Sequence, residues 1–117
     1  MSLATRLRLA RALVLRRQPA YVIAFVTGRC DLQCSLCCPA ATSSRGDPEM
    51  TPSEWGAALS GAHGLLHLTI TGGGPFLRDD LDELILAAAR ASDVPRLSIN
   101  THGLATDRIA ATTERLL

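Results

Sequence analysis

The four cysteines of this chain lie within nine consecutive positions, as Cys30, Cys34, Cys37 and Cys38. A disulfide framework spreads its cysteines along the chain to join distant loops, and cysteines packed this closely cannot do that. Clustered thiols are typical of a metal or iron–sulfur site in a reducing compartment, so we expect a cytoplasmic protein. We therefore expect the functional site to be built around one short loop that carries these cysteines.

The overall composition indicates one compact, soluble domain. The chain has 117 residues, of which 47% are hydrophobic and 3% aromatic, and this hydrophobic share excludes a disordered tail. The net charge of +1 gives no chain-wide footprint for nucleic acid. No window approaches the ~18 apolar residues of a membrane span. The apolar run Ala12–Leu15 is also shorter than the ~7 residues that a signal peptide needs.

Residues 1–18 form a basic N-terminal arm, which we separate from a domain at 19–117. No acidic residue precedes Asp31, and apolar residues recur at helical spacing. A membrane-surface or nucleic-acid arm is one interpretation, but we favour a solvated amphipathic helix that leads into the domain. The arginines are Arg6, Arg8, Arg11, Arg16 and Arg17, and the apolar positions are Leu3, Leu7, Ala10 and Val14.

Three strands are predicted after the arm. Tyr21–Val26 is apolar without alternation, which is typical of a strand buried on both faces. Leu65–Thr71 and Arg96–Thr101 are the other two, and a turn-rich stretch at Ala41–Pro48 indicates an exposed loop. Because helices separate the strands, the pattern predicts an α/β fold with parallel strands and right-handed crossovers.

Three helices are predicted in the domain. The first begins with a capping box, in which Thr51 is the N-cap and Glu54 lies three residues later, and it stops near Gly64. The second begins near Asp79 or Asp80, and Thr106 caps the third. The predicted apolar faces are Trp55, Ala58, Leu59 and Ala62 for the first helix, Leu81, Leu84, Ile85 and Ala88 for the second, and Ile109, Thr113 and Leu116 for the third.

The cysteine loop has the spacing C-x3-C-x2-C from Cys30 to Cys37. Three thiolates can hold three irons of a cubane and leave the fourth iron open to a ligand, much as a vacant position marks catalytic zinc. With this loop, residues 21–117 resemble the N-terminal half of the core domain of radical S-adenosylmethionine (radical SAM) enzymes. Gly72-Gly73-Gly74-Pro75 stands where that family has Gly-Gly-Glu-Pro, and Thr101-His102-Gly103 stands where many members have Thr-Asn-Gly.

The resemblance implies parallel β/α units that form part of an open, TIM-like barrel. It implies a 4Fe–4S cluster on Cys30, Cys34 and Cys37, with S-adenosylmethionine chelating the fourth iron. Reductive cleavage of S-adenosylmethionine would give a 5′-deoxyadenosyl radical that abstracts hydrogen from a small-molecule or peptide substrate. An electron donor such as a flavodoxin or a ferredoxin is implied as well. The implied cofactor-binding residues are Leu36, Gly72, Gly73, Gly74, Pro75 and Thr101.

Several positions depart from the family pattern, so enzymatic activity is left open. Gly74 replaces the usual Glu and removes a carboxylate, while Leu36 replaces an aromatic residue that commonly flanks the adenine. His102 replaces Asn, and we expect it to be a surface turn residue rather than a pocket residue. The positions that we do not expect to be ligands are His63, His67 and Cys38.

Other interpretations also remain. A zinc or structural iron–sulfur module would use all four cysteines, although structural zinc pairs usually stand further apart than the adjacent Cys37 and Cys38. A thiol redox site would use Cys34-Ser35-Leu36-Cys37. The pattern ends inside a helix at Leu117, and three strands leave unpaired edges. We therefore expect an N-terminal part of something larger, an inactive fragment, or a chain whose sheet edge a partner covers.

Overall fold

The computed structural model describes residues 3–15, 19–37 and 48–117 of the chain. Cys38, Arg16, Arg17 and most of the predicted loop at 41–48 lie outside these ranges. The elements are α1 (Leu3–Leu15), β1 (Tyr21–Thr27), α2 (Pro52–Leu59), β2 (His67–Gly72), a 3-10 turn (Pro75–Leu77), α3 (Leu81–Ser92), β3 (Leu97–Ile99) and α4 (Thr106–Leu116).

The three strands form one parallel sheet in the order β1-β2-β3. Ile23 lies opposite Thr69, and Thr69 lies opposite Ser98. Helix α2 comes between the first two strands and α3 between the second and third, so the α/β prediction is confirmed. Because neighbouring strands run in the same direction, the loops that follow them emerge at one edge of the sheet.

The hydrophobic core lies between one face of this sheet and the helices. From the strands, Ala24 and Ile70 are buried among side chains of α2 and α3 such as Leu59 and Leu84. Burying this apolar area is what holds the helices on the sheet. All four residues of the apolar face predicted for the second helix are buried, namely Leu81, Leu84, Ile85 and Ala88.

The opposite face of β1 is exposed in the described structure. Tyr21, Ile23 and Phe25 are 50%, 53% and 61% exposed, and they alternate with buried residues of the core face. The prediction that this strand is buried on both faces is therefore wrong. The physical reason is that β1 is an edge strand whose second face is packed by none of the described helices.

The helix termini follow the sequence in part. In α2, the Thr51 hydroxyl accepts from the Glu54 N–H, and the Glu54 carboxylate accepts from the Thr51 N–H, which confirms the capping box. This helix ends at Leu59, before the predicted stop at Gly64, since the Ser60 N–H and hydroxyl both bond to the Ala57 carbonyl. Within the helix, Ala58 is exposed rather than part of the predicted apolar face.

Helix α4 also differs in detail from its prediction. Its N-cap is Ala105 rather than Thr106. Thr112 is buried, at 4% exposure, whereas Thr113 is exposed and donates its hydroxyl to the Ile109 carbonyl. Ile109 and Leu116 pack against the core as predicted, and the inward-facing residue between them is Thr112 rather than Thr113.

Helix α1 forms where the helical spacing predicted it, and the three large apolar side chains described there face solvent. Leu3, Leu7 and Val14 are each more than half exposed. Among the described helices, none combines the length and apolar character needed to cross a bilayer.

Candidate functional site

Three loops meet at the carboxyl edge of the sheet and bring together most of the residues singled out from the sequence. The cysteine loop follows β1, the glycine run Gly72–Gly74 follows β2, and the segment Thr101–Gly103 follows β3. In parallel α/β folds this edge is where ligands bind. Topology therefore juxtaposes segments that are far apart in the chain.

The three described cysteines are thiols of unequal exposure. Cys30 is half-buried, and Cys34 and Cys37 are exposed. The Cys30 sulfur accepts from the Leu32 N–H at 3.4 Å, and the Cys37 N–H donates to the Cys34 carbonyl at 3.1 Å, so the loop turns between the last two thiols. Three thiols on one turn are the donor set that an iron–sulfur cluster takes.

Cluster binding requires these thiols to converge further than they do here. Within the described residues, no three His, Cys, Asp or Glu side chains lie close enough together to hold a metal ion. The exposed positions of Cys34 and Cys37 leave room for their side chains to turn toward Cys30. The donor chemistry of three thiols therefore fits the cluster, provided that the loop changes conformation.

The glycine run is packed directly against the cysteine loop. Gly72 has a φ of +145°, and a Cβ there would lie 2.3 Å from the Thr27 carbonyl oxygen. A Cβ on Gly73 would lie 2.3 Å from the Arg29 carbonyl oxygen and 2.9 Å from the Cys30 Cβ. Only glycine permits this approach, because a real Cβ would displace the loop that carries the first thiol.

The backbone N–H groups of the glycine run are also occupied. The Gly73 N–H donates to the Thr27 carbonyl at 2.9 Å, and the Gly74 N–H donates to the Arg29 carbonyl at 2.7 Å. These two bonds fasten the cysteine loop to the end of β2. Their contribution to a cofactor site stays a prediction.

A shallow cavity, with only about 10 Å³ of enclosed room, lies between the glycine run and the segment after β3. Of the predicted cofactor-binding residues, Gly74, Pro75 and Thr101 line it. A Cβ on Gly74 would lie 3.3 Å from Leu77 Cδ1, so Leu77 fills space beside the position where the family has a carboxylate. Leu36 lies elsewhere, on the cysteine loop, and is 97% exposed.

His102 belongs to this cavity rather than to a surface turn, so the sequence expectation for it is wrong. Its side chain is only 19% exposed, and its Nε2 lies 2.9 Å from Oδ1 of Asp31. Nδ1 accepts the Leu104 N–H at 3.2 Å, which assigns the proton to Nε2 and makes it the donor to Asp31. His67 lies on β2, where its Nε2 bonds to the Ser98 hydroxyl at 2.8 Å, and His63 is exposed.

Sequence reasoning missed a buried arginine behind the cysteine loop. The Arg78 side chain, 3% exposed, donates to the Val26 carbonyl at 2.8 Å and to the Met50 carbonyl at 3.0 Å. It also makes two parallel bonds of 2.8 Å to the Asp80 carboxylate. Asp80 is the N-cap residue of α3, but Arg78 takes its side chain and the cap makes no side-chain bond. In the sequence, the short spacing between Arg78 and Asp80 was the feature that could have indicated this ion pair.

Glu49 joins this arginine to the cysteine loop. Its carboxylate accepts the Thr27 hydroxyl, Arg29 Nε at 3.2 Å and Arg29 Nη2 at 3.0 Å, and it lies 3.7 Å from Arg78 Nη1. Partial burial would raise the pKa of Glu49, but the bonds from Thr27 and Arg29 and the two guanidinium charges outweigh it and leave that pKa below its usual value. The bonds from Arg78 likewise lower the pKa of Asp80.

Comparisons with known proteins relate the chain to two kinds of cyclase. It is 34% identical over 86 residues to the GTP 3′,8-cyclase of Stenotrophomonas maltophilia, covering 71% of this chain and 26% of that protein. It is 35% identical over 89 residues to a probable GTP 3′,8-cyclase of Methanocaldococcus jannaschii, covering 73% and 29%. It is 36% identical over 100 residues to the PqqA peptide cyclase of Bradyrhizobium diazoefficiens, covering 84% and 24%.

The chain thus spans about a quarter of the length of the curated relatives it matches. No family model matches it. No solved structure matches it either. The relatives confirm the family resemblance found in the sequence.

Proposed function

The chain is related to radical SAM enzymes, the class to which both cyclases belong, and from this premise we propose that it is the cluster-binding part of such an enzyme. Cys30, Cys34 and Cys37 would hold a 4Fe–4S cluster, and S-adenosylmethionine would bind beside it. The observation that carries the proposal is the C-x3-C-x2-C loop fastened by Gly73 to the carboxyl edge of a parallel sheet.

The protein's own contribution begins with the backbone. Cys30 follows directly after Arg29, whose carbonyl accepts the Gly74 N–H, and Gly73 packs against the Cys30 Cβ. The backbone that carries the first thiol is therefore fixed between the end of β1 and the end of β2. Held by Cys30, Cys34 and Cys37, a cluster open at one iron would supply, when reduced, the electron for cleavage of S-adenosylmethionine to methionine and a 5′-deoxyadenosyl radical, which would abstract hydrogen from a substrate.

The cofactor would lie along the same edge. Gly72, Gly73, Gly74 and Pro75 would contact its methionine part, with Thr101 across the cavity from Gly74. Gly74 offers no carboxylate, so the methionine ammonium would meet backbone carbonyl groups instead. Leu36, whose side chain is exposed, would give the adenine an apolar contact without stacking.

The rest of the enzyme is also part of the proposal. The open sheet and its exposed face suit one part of a barrel whose interior is the face that carries Tyr21 and Phe25. Further strands or a partner chain would cover the unpaired edges. We propose a small-molecule or peptide substrate, a flavodoxin or ferredoxin as electron donor, and a cytoplasmic location.

Anaerobic reconstitution with iron and sulfide tests the proposal. We expect a brown protein with about four irons per chain, whose reduced electron paramagnetic resonance spectrum changes when S-adenosylmethionine is added. Cys30→Ala, Cys34→Ala and Cys37→Ala should each abolish the cluster, and Cys38→Ala is the matched control that should keep it. Zinc uptake without colour, or equal loss of cluster from Cys38→Ala, would contradict the proposed ligand set.

A further inference from the structure

We infer that Glu49 is a positioning residue for the cysteine loop, because it ties together the two ends of the segment that carries the thiols. This inference rests on the proposed function, since it gives Glu49 a role in cluster retention. Glu49 is neither a candidate ligand nor part of the family motif quoted above.

The tie is made by direct contacts across the base of the loop. Thr27 and Glu49 stand 22 positions apart in the chain, and the Thr27 hydroxyl donates to the Glu49 carboxylate. Thr27 is the last residue of β1, and Glu49 lies two residues before the N-cap of α2. Arg29 adds bonds to both carboxylate oxygens, one from Nε and one from Nη2. The two ends of the segment are therefore hydrogen-bonded to each other in one cluster.

Arg78 makes a second, buried tie between the same two ends. It donates to the carbonyl of Val26 in β1 and to the carbonyl of Met50, the residue after Glu49. Its Nη1 lies 3.7 Å from the Glu49 carboxylate, so it also supports the first tie electrostatically. Since Asp80 neutralises Arg78 independently, removing Glu49 leaves no buried charge without a partner.

The consequence for Cys30 comes through Arg29. The Arg29 carbonyl is held by the Gly74 N–H, and the Arg29 side chain is held by Glu49. The residue next to the first thiol is thus fixed on both its backbone and its side chain. Without Glu49, the side-chain restraint on Arg29 is lost, while the Met50 carbonyl keeps its bond to Arg78. Closing a loop costs conformational entropy, so a looser base makes the thiols less well placed to retain a cluster.

The test compares Glu49→Ala and Glu49→Gln with Glu114→Ala, a matched control at an exposed carboxylate on α4. In the metal-free protein, amide hydrogen exchange is measured separately for residues 28–37 and for β2. In the reconstituted protein, the rate of iron release to a chelator is measured well below the unfolding temperature. The single amide oxygen of Gln can still accept the Thr27 hydroxyl and Arg29 Nε, but its NH2 group cannot accept Arg29 Nη2 and the charge is lost, so this variant tests partial rescue.

We expect Glu49→Ala to speed both exchange at 28–37 and iron release by about tenfold, the factor that matches loss of a hydrogen bond to a charged group. Exchange in β2 should stay unchanged, Glu49→Gln should be intermediate, and Glu114→Ala should match the unsubstituted protein. Equal rates in Glu49→Ala and the unsubstituted protein would overturn the inference. So would faster exchange spread uniformly over β2, which indicates general destabilisation. If the unsubstituted protein takes up no cluster, the proposed function fails, while exchange in the metal-free protein still decides the role of Glu49.

Discussion

Nε2 of His102 donates a hydrogen bond to Oδ1 of Asp31 across 2.9 Å, and this joins the end of β3 to the residue directly after Cys30. The cysteine loop is bound separately to the end of β2, through the Gly73 and Gly74 N–H groups. The loop that carries the candidate ligands is therefore attached to both of the other strands of the sheet.

His102→Ala should loosen the cysteine loop without unfolding the protein. The bond to Asp31 is partly exposed, so we expect the free energy of unfolding to fall by no more than about 1 kcal/mol. Iron release from the reconstituted protein should nevertheless become faster, because Asp31 adjoins Cys30. His63→Ala, at an exposed histidine, is the control for both measurements. An unchanged release rate in His102→Ala would show that the loop does not depend on this bond.

Gly73→Ala should destabilise the protein even when no metal is present. The added Cβ would lie 2.3 Å from the Arg29 carbonyl oxygen, so the cysteine loop must move, at a cost of about 1–3 kcal/mol. Gly61→Ala is the matched control, since no atom lies within 4 Å of a Cβ placed there. Urea denaturation measures both variants. A Gly73→Ala protein as stable as Gly61→Ala would mean that the two loops are not packed together as described.

Arg78→Ala should be among the most destabilising substitutions in the chain. It would leave the Val26 and Met50 carbonyls and the Asp80 carboxylate without their donor, and loss of one partner of a buried ion pair costs about 3–5 kcal/mol. Because Asp80 is partly exposed, we expect the low end of that range. Thermal and urea unfolding should show it, with Arg96→Ala, at an exposed arginine, changing stability by less than about 0.5 kcal/mol. Similar losses in the two variants would contradict the buried network.

The metal-free protein should lose stability in acid. The pKa of Asp80 in the folded chain lies below its ordinary value of 3.8 because Arg78 donates to it. A carboxyl with a lowered folded pKa contributes stability that is fully present above the unfolded pKa and is lost as the pH falls through the folded one. Glu49 acts in the same direction from its ordinary value of 4.5.

Urea denaturation between about pH 6 and pH 2 measures this effect. The free energy of unfolding should begin to fall near the ordinary pKa of Glu49 and continue to fall below that of Asp80. Asp80→Asn should flatten the acid limb, whereas Asp79→Asn, at the exposed neighbouring carboxyl, should leave it unchanged. An identical acid limb in Asp80→Asn would remove the Arg78–Asp80 pair as its cause.

Local sequence patterns determined the order of the elements and several of their termini. The capping box at Thr51 and Glu54 formed as predicted, because capping depends on residues three positions apart. The apolar stripe of α3 was likewise found from its spacing, since Leu81, Leu84 and Ile85 are all buried. The spacing of Cys30, Cys34 and Cys37 and the glycine run were also visible in the sequence, and they led to the family resemblance.

Tertiary structure decided which of these residues touch one another. The exposed face of β1 depends on its place at the sheet edge, which no pattern within Tyr21–Val26 encodes. Asp80 looks like a helix cap in the sequence, but Arg78 takes its carboxylate. The contacts of His102 with Asp31 and of Glu49 with Thr27 and Arg29 join positions far apart in the chain. Such contacts arise only when parallel strands bring their following loops to a common edge, so spacing along the sequence carries no record of them.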